Sequence, residues 1–538
     1  MAGIYNFLRL AEHAGWRTVF LGSAVSVQEI VKAAMVEKAD LVGISYRLTT
    51  ATGERLLGEF AEAADGLKSN GVRFAFGGIP EIAARARSMG FFEKVFDGSD
   101  AMEEVLAYLK GDEKYHQVDG KYPDTTINRI HWKSPYPLLR HHFGLPSMEA
   151  TVKGVEQIAS TRCMDVISLG IDQDAQENFF HPERQNPRQK GAGGVPVRSE
   201  EDYGRLYQAS RTGNYPLMRT YSGTDDFIRL AEMYTRTIHN AWCAIPLFWF
   251  NQMDGRGPWD LRGSISEHQK VMAWYGQRNI PVELNEPHHW GMRDAPDAVY
   301  VVSAFLAAYN ARVFGVRDYI AQFMFNSPPG CSDAMDLAKM SAILRLITPL
   351  QTEDFRIWIE TRTGLLSYPL DINAARGHLA ASIYLQMALK PHIVHVVGPT
   401  EADHAATAAE VIEACALARS AIENSMRGAP QMLTDPLIHA RVDELVKEST
   451  AILNAIKDLA EVGVADPWVD PATLAASVTL GIMDAPQLMN NPFARGEIKT
   501  CIHRGGCVSV DKHNNQISEI ERIKGLGLKG GTNNGTKN

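Results

Sequence analysis

Residues 41–78 read LVGISYRLTTATGERLLGEFAEAADGLKSNGVRFAFGG, and this stretch decides the fold class of the first part of the chain. Two short apolar runs, Leu41–Ser45 and Val72–Phe76, have the length and composition of buried strands. Between them, Glu54–Lys68 has the apolar spacing of a helix. Strands joined by a helix of this length predict a parallel sheet with helices on both faces.

The same alternation extends on both sides of this stretch. We predict helices at Asn6–Gly15, Val27–Glu37 and Ala101–Leu109, and short strands at Thr18–Leu21 and Val95–Phe96. Residues 1–110 are therefore predicted to form a flavodoxin-like, doubly wound parallel sheet, in which ligands bind at the carboxyl ends of the strands. Residues 111–135 are polar and contain proline, which is typical of a linker.

From residue 136 the alternation resumes with a longer period. The strand candidates are Leu138–His142, Asp165–Ile171, Leu217–Tyr221, Ile245–Phe250, Val282–Asn285, Tyr319–Phe325, Phe355–Glu360 and Ile393–Val397. Eight strand–helix steps predict a (β/α)8 TIM barrel over residues 136–490, although seven or nine strands are also compatible with the pattern. Residues 491–524 are predicted to be an extension packed on the barrel, and 525–538 a flexible tail.

Composition excludes several classes of protein. The 538 residues are 45% hydrophobic and 22% charged, which is globular composition rather than disorder. A formal net charge of -9 argues against nucleic acid as a partner. The longest apolar runs, such as Ala244–Phe250, are too short to cross a membrane, and the start lacks a signal peptide. Six cysteines without a CxxC pair indicate free thiols and a cytoplasmic location.

Two small motifs follow neighbouring strands of the first domain. Ser45-Tyr46-Arg47-Leu48-Thr49 follows one strand, and Gly77-Gly78 follows the next. Paired glycines let a flat ligand approach the backbone, although they also form simple tight turns. With the helix after Gly3, these motifs resemble the cobalamin-binding domain of cobalamin-dependent mutases, methionine synthases and corrinoid proteins, which carries D-x-H-x-x-G, S-x-L and GG. The cofactor-binding residues that this resemblance implies are Gly3, Ser45, Tyr46, Arg47, Thr49, Gly77 and Gly78.

The cobalt-ligating histidine of that family has no counterpart in the sequence. If Gly3 is the last glycine of D-x-H-x-x-G, the Asp and the His would precede Met1, so no metal ligand is assigned. Arg47 also stands where the family has leucine. Three explanations remain open: a truncated start, which we favour, binding without this ligand, or no binding.

The barrel region resembles the large (epsilon) subunit of glutamate mutase, also called methylaspartate mutase. The similar segments are Gly170-Ile171-Asp172, Pro216-Leu217, Gly223-Thr224-Asp225, Leu230-Ala231-Glu232, Trp242, Ser264-Ile265, Trp274, Asn285-Glu286-Pro287, Asp336-Leu337-Ala338, Gly481-Ile482-Met483-Asp484 and Arg504-Gly505-Gly506-Cys507-Val508. The resemblance implies an adenosylcobalamin-dependent radical isomerase, with cobalt held through the corrin, that acts on a small acid and forms a homodimer through the barrel.

The residues that bind glutamate in that family match poorly. The family uses three arginines. Gln176 stands where the family has the first of them, and the second aligns near His142, with Arg140 two positions away. Arg219 is offset by two residues from the position of the third arginine. Pro246 stands where the family has its general-base glutamate, and His404 stands where the family has a lysine near the adenosine. We therefore expect a shared scaffold and a substrate other than glutamate.

Polar side chains at strand ends are the candidates for the barrel site. An arginine, an acid and a histidine within reach of one ligand can fix a carboxylate and move a proton. As catalytic residues we predict Asp172, Glu286, His289 and His404. As substrate-binding residues we predict Arg140, His142, Gln176, Arg219, Tyr221, Asp254, Arg256 and Asn285. Further candidates are His141, Asp174, Asn251, His288, Gln322, Asn326, Glu360 and Arg362.

Simpler interpretations accompany these candidates. Residues 285–290 could form a solvated loop, and Arg219 could pair with Asp225 or Asp226. Phe248-Trp249-Phe250 fits a barrel core better than a stacking platform. A metal site at His288, His289 and Glu286 lacks the usual ligand spacing. A site at Cys501, His503 and Cys507 would have an incomplete ligand set of two thiols and one imidazole, which favours free thiols. A corrinoid-dependent methyltransferase and a non-catalytic corrinoid-binding protein are the alternative functions.

Overall fold

The computed structural model describes residues 2–46, 48–98, 100, 102–111 and 122–527. The chain divides into two compact units, Met1–Lys121 and Tyr122–Asn538. The division falls inside residues 111–135, the predicted linker, of which 112–121 lie outside the described residues. Each unit has a hydrophobic core of its own.

The first unit is a small parallel sheet with helices. Its elements are α1 (Ala2–His13), α2 (Val27–Glu37), β1 (Leu41–Tyr46), α3 (Thr50–Ser69), β2 (Arg73–Gly78), α4 (Pro80–Ser88), β3 (Lys94–Phe96) and α5 (Met102–Leu109). The strand order is β1-β2-β3, all parallel. The predicted strand at Thr18–Leu21 is absent, because no described strand pairs with this segment and its apolar side chains are exposed.

The second unit contains most of the chain. Its first half comprises α6 (Thr126–Lys133), β4 (Leu138–Phe143), α7 (Met148–Ser160), β5 (Val166–Leu169), α8 (Gln173–Glu177), α9 (Glu200–Ala209), β6 (Leu217–Arg219), α10 (Phe227–Thr237), β7 (Cys243–Ile245) and α11 (Leu261–Gly276). The second half comprises β8 (Val282–Leu284), α12 (Glu286–Gly291), α13 (Asp297–Val313), β9 (Asp318–Phe325), α14 (Asp333–Ile347), β10 (Arg356–Thr363), α15 (Ile372–Gln386), β11 (Ile393–His395), α16 (Ala408–Met426), α17 (Pro436–Lys457), α18 (Pro471–Thr479), β12 (Thr500–His503), β13 (Gly506–Ser509) and α19 (Glu519–Gly525).

Eight parallel strands of this unit form one nearly closed barrel sheet, in the order β6-β5-β4-β11-β10-β9-β8-β7. Two backbone hydrogen bonds join its open edges. The amide of Ala241 donates to the carbonyl of Met218 at 2.8 Å, and the amide of Ser222 donates to that of Ala244 at 3.3 Å. The α/β class and the eight-stranded parallel sheet are therefore confirmed, with β-strands alternating with helices along the chain.

Three elements differ from the predictions for physical reasons. The strand expected at Ile245–Phe250 is found at Cys243–Ile245 instead. It ends there because the amides of Leu247 and Phe248 donate hydrogen bonds to the carboxylate of Glu286 and not to a neighbouring strand. Strand β10 runs to Thr363 rather than ending at Glu360, since it pairs with β9 along its whole length. Helix α6 lies within the predicted linker, because its apolar face packs on the end of the barrel.

The C-terminal segment packs on the second unit, as far as it is described. Strands β12 and β13 form an antiparallel hairpin. Arg522 of α19 donates to the carbonyls of Gly481 and Ile482, and the amide of Glu519 donates to Glu448 on α17. In the described part of the chain, no helix has the length and hydropathy needed to cross a membrane.

Candidate functional site

The end of the barrel at the start of its strands is filled by apolar side chains. Six strand residues pack together there with Trp242; they are Leu138, Val166, Leu217, Ile320, Trp358 and Ile393. Side chains alternate along a strand, so the residue two positions later points to the same interior. That rule gives a second layer of polar residues, Arg140, Ser168, Arg219, Gln322, Glu360 and His395. All six are almost fully buried.

Arg140 and Glu360 form the main ion pair of this layer. Arg140 donates from Nε and Nη2 to one oxygen of Glu360, Oε1, at 3.0 and 2.6 Å. Its Nη1 donates to Ser168 Oγ at 3.0 Å. Burial lowers the pKa of Arg140, but the carboxylates of Glu360 and Glu283 outweigh it and raise that pKa. Arg140 is therefore charged, with its hydrogen bonds satisfied inside the protein.

Glu283 on β8 joins the same layer, and both its oxygens are engaged. Trp242 Nε1 donates to Oε2 at 2.6 Å, and Gln322 Nε2 donates to Oε1 at 2.7 Å. Arg140 and Arg219 each lie 3.6 Å from it. Burial raises the pKa of Glu283, but the two guanidinium groups bring that pKa below its usual value. Glu283 is the ionised counter-charge of the layer.

Arg219 has unsatisfied donors. Its Nε donates to Ser168 Oγ at 3.0 Å, but Nη1 and Nη2 have no hydrogen-bond partner although the side chain is fully buried. Among the described residues its acidic neighbour is Glu283, not Asp225 or Asp226. Burial and a neighbouring arginine lower the pKa of Arg219. A buried guanidinium with two free donors is suited to a bidentate carboxylate ligand.

Glu360 and His395 also present unsatisfied atoms. Glu360 Oε1 accepts from Arg140 and from Gln322, the latter at 3.1 Å, whereas Oε2 has no partner. Burial raises the pKa of Glu360. His395 Nδ1 lies 3.9 Å from Glu360 Oε1, and neither ring nitrogen has a hydrogen bond. Burial and Arg140 hold the pKa of His395 well below its usual value, so the ring is neutral.

Aromatic rings lie next to this polar layer. His142 contacts the ring of His395 with centroids 4.9 Å apart and stacks on Tyr221 at 5.5 Å. Tyr221 in turn meets Phe250 edge to face at 6.5 Å. Burial, Arg140 and Arg219 hold the pKa of His142 well below its usual value. This side of the barrel is therefore lined by neutral rings.

Helix α12 and the residue before it line an adjoining part of the site, where His289 meets the ring of Phe250 at 5.7 Å. His288 Nδ1 lies 2.5 Å from Gln322 Oε1, and its ring contacts His289 at 4.3 Å. Both ring nitrogens of His289 lack a hydrogen-bond partner, and so does Oδ1 of Asn285, although both residues are buried. Burial holds the pKa of both histidines well below the usual value. His289 and Asn285 are therefore available to a ligand.

Asp172, a predicted catalytic residue, is fully occupied by structural contacts. Arg198 donates to its two oxygens at 2.8 and 2.7 Å. The amides of Ala175 and Gly191 donate to the same carboxylate, each at 2.9 Å. The structure thus uses Asp172 to cap α8 and to hold the loop that follows it, and we leave it out of the site.

Glu286 likewise positions backbone. It accepts from the amides of Leu247 and Phe248 at 2.6 and 3.0 Å and from Trp290 Nε1 at 2.6 Å. Burial raises the pKa of Glu286 to about 7. Residues 286–291 form a buried helix rather than a solvated loop. Phe248, like its two successors, belongs to the hydrophobic core, as the sequence favoured.

Four other predicted residues stand apart from the buried layer. Gln176 donates to a backbone carbonyl at the start of its own helix. Asp254 accepts two backbone amides, and Arg256 is half-exposed over the ring of Phe250 at 5.2 Å. His404 is exposed between two carboxylates. None of these contacts places the side chain next to Arg219 or Glu360.

In the first unit, the ends of β1 and β2 form a surface with few side chains, which we call the shelf: Ser45 and Gly77. Ser45 pairs with Gly77 in register and is exposed. A Cβ on Gly77 would meet only Ser45, at 3.8 Å or more. A Cβ on Gly78 would lie 2.7 Å from the ring of Phe76. Gly77 thus leaves space open, whereas Gly78 is required by packing.

The other predicted cofactor-binding residues of this unit have few contacts. Tyr46, at the end of β1, is half-buried and meets the ring of Phe76 edge to face. Thr49 is exposed and bonds to Thr52, and Gly3 has open space around it. Arg47 lies outside the described residues. The fit to a large flat ligand therefore rests on the open shelf.

Within the described ranges, one group of side chains has the geometry of a metal site: His181, Asp225 and Asp226. His181 Nε2 already lies 2.9 Å from Asp226 Oδ2. The metal alternatives that the sequence raised, at residues 286–289 and at 501–507, do not form such a group among these residues.

Sequence reasoning missed Ser168, Glu283 and His395. None of them stands at a strand end in the pattern, since Ser168 and Glu283 lie inside short apolar runs. Ser168 and His395 each lie two positions after an apolar strand residue that fills the end of the barrel. This spacing could have identified them, provided that the strand register were known.

No family model matches the chain, and no curated protein is similar to it. The fold and the site nevertheless define a class: an α/β protein with a parallel barrel whose buried interior holds unsatisfied donors and acceptors. Sites of this kind bind small polar molecules, with anion-binding arginines fixing their orientation.

Proposed function

We propose that this chain is an adenosylcobalamin-dependent radical isomerase, a carbon-skeleton mutase, acting on a small carboxylic or amino acid other than glutamate. The observation that carries the barrel part of the proposal is Arg219, a fully buried guanidinium with two unsatisfied nitrogens. Buried donors without partners are costly, so a ligand that satisfies them gains affinity from that cost.

The charges of the layer favour an anion. Arg140 and Arg219 face two carboxylates, of which Glu283 is held ionised by the guanidinium groups while burial raises the pKa of Glu360. Arg362, two residues after Glu360 on β10, adds a third positive charge, and after burial and Arg140 it contributes to the low pKa of His395. A monoanionic carboxylate on Arg219 would restore the balance.

The enclosure supports radical chemistry. When bound, adenosylcobalamin supplies a carbon-centred radical by homolysis of its cobalt–carbon bond, and such a radical has to be kept from water and stray hydrogen donors. The chain's own residues would bind the acid on Arg219 and orient it against His142 and Tyr221, and the buried ring of Phe250 beside Tyr221 would limit the access of water.

The shelf is the proposed site for the corrinoid. Gly77 leaves space for a flat ligand at the carboxyl end of the sheet, where ligands of such folds bind. His13 is the single histidine among the described residues of this unit, and it ends α1 rather than following β1 or β2. The described residues therefore supply the shelf and not a cobalt ligand after either strand.

The test uses the purified full chain. Equilibrium dialysis against adenosylcobalamin and against methylcobalamin measures whether and which corrinoid binds. Preference for the adenosyl form, followed by an organic radical signal in electron paramagnetic resonance when small acids are added anaerobically, supports the mutase. Preference for the methyl form without such a signal favours the methyltransferase, and binding with neither activity favours a corrinoid-binding protein.

A further inference from the structure

The two carboxylates of the barrel layer differ in one respect. Both oxygens of Glu283 accept hydrogen bonds, from Trp242 and Gln322. All of the hydrogen bonds to Glu360 go to Oε1, and Oε2 is buried without a partner. An unsatisfied acceptor of this kind calls for a donor that the described residues do not supply.

His395 lies beside the carboxylate of Glu360 and also has unsatisfied atoms. Its Nδ1 is 3.9 Å from Glu360 Oε1, and both ring nitrogens lack hydrogen bonds. Because the ring is neutral, one of its nitrogens is an acceptor. Glu360 and His395 together therefore offer acceptors at one place, whereas Arg219 offers donors.

The sheet order sets the distance between these groups. In the order β6-β5-β4-β11-β10-β9-β8-β7, the strand of Arg219, β6, is four steps from the strand of Glu360, β10, in either direction around the barrel. The two residues therefore stand on opposite walls of the interior. The interior of an eight-stranded barrel is only wide enough for side chains or one small ligand.

We infer that Glu360 Oε2 and His395 form a second subsite, for a hydrogen-bond donor on the ligand, opposite the carboxylate on Arg219. The donor is an ammonium or hydroxyl group within a few bonds of the carboxylate. This inference rests on the proposed small-acid site and specifies what else the acid carries. Glu360 is then a specificity-determining residue that contacts the ligand.

The surroundings of Glu360 make an ammonium the better donor. The charged and titratable groups that face it are Arg140 on β4, Arg219 on β6, Glu283 on β8 and His395 on β11, and Arg362 follows two residues later on β10. Arg140 already engages Glu360 Oε1, so an ammonium would meet Oε2, the oxygen without a hydrogen-bond partner. An ammonium adds the attraction between opposite charges to its hydrogen bond with the carboxylate, and a hydroxyl lacks that attraction.

The test compares three probes with the same three-carbon carboxylate: propionate, L-lactate and L-alanine. Isothermal titration calorimetry on the full chain is expected to give L-alanine the lowest Kd, at least ~10-fold below propionate, with L-lactate between them. In Glu360→Gln this preference should disappear. In Glu448→Gln, which changes another largely buried carboxylate outside the barrel interior, it should remain.

A second variant guards against misfolding. Glu360→Asp keeps the charge but withdraws the carboxylate by one methylene, and it should reduce the preference while retaining binding of propionate. An unchanged preference in either Glu360 variant overturns the inference, and so does a wild-type chain that binds none of the three probes or binds them equally. These outcomes are independent of corrinoid binding, whose failure would instead overturn the proposed mutase.

Discussion

Arg140 donates two hydrogen bonds to a single oxygen of Glu360, at 3.0 and 2.6 Å, and leaves the other oxygen unsatisfied. A guanidinium facing a carboxylate usually engages both oxygens, so this geometry is what keeps Oε2 available. Arg140 is also bonded to Ser168, which fixes its position. The candidate site is therefore built on a rigid ion pair, with the unsatisfied atoms of Glu360 and Arg219 beside it.

Removing the charge of Glu283 should destabilise the barrel. In Glu283→Gln, the buried Arg219 loses its acidic neighbour while Arg140 keeps Glu360, and breaking such a buried pair costs about 3–5 kcal/mol. The free energy of unfolding, from urea denaturation, measures this loss. The control is Asp443→Asn in an exposed pair with Arg345, which should change stability by less than about 1 kcal/mol. Equal losses of unfolding free energy in the two variants would mean that the buried ion pair stabilises the protein no more than an exposed one.

Arg219→Lys should weaken carboxylate binding without unfolding the protein. Lysine keeps the charge but loses the planar fork, so the affinity for a three-carbon acid should fall at least ~10-fold, about 1.4 kcal/mol. Calorimetric titration gives the affinity, and circular dichroism checks the fold. Arg236→Lys, in an exposed pair with Glu200, is the matched control. If the affinity for the acid stays the same in Arg219→Lys, the anchor is elsewhere, and Arg362 on β10, whose Nε has no hydrogen-bond partner, and Arg256 are the next candidates.

Two neighbouring glycines should respond differently to the same change. Gly77→Ala adds a methyl group to open space, so it should leave the melting temperature unchanged and reduce corrinoid binding. Gly78→Ala places its Cβ against the ring of Phe76 and should lower the melting temperature without any ligand. Differential scanning fluorimetry and equilibrium dialysis separate the two effects. Unimpaired corrinoid binding in Gly77→Ala would remove the shelf from the cofactor site.

Cys163 should be the reactive thiol among those whose pKa the structure perturbs. A hydrogen bond with Cys415 lowers the pKa of Cys163 to about 7, whereas burial raises the pKa of Cys243. Because the thiolate is the nucleophile, alkylation of Cys163 by iodoacetamide should reach half its maximal rate near pH 7. Peptide mass spectrometry follows each cysteine. In Cys415→Ala the midpoint should move to higher pH, and an unshifted midpoint would contradict this cause.

The sequence predicted the scaffold better than the site. Apolar runs and helical spacing are local properties, so the eight parallel strands could be predicted. Which polar side chain is left unsatisfied depends on contacts far along the chain. Asp172 is neutralised by Arg198, and Arg140 meets Glu360 only because the barrel brings β4 and β10 close together. Arg219, a predicted substrate-binding residue, lies in the buried interior layer.

The central claim is that the chain is a corrinoid-dependent enzyme, and titration of the purified full chain with adenosylcobalamin tests it most directly. The absorption spectrum and equilibrium dialysis together report binding and the ligation of cobalt. The account predicts saturable binding of one corrinoid per chain, weakened in Gly77→Ala, without the spectral shift of histidine ligation. Absence of saturable binding of either adenosylcobalamin or methylcobalamin would contradict the account.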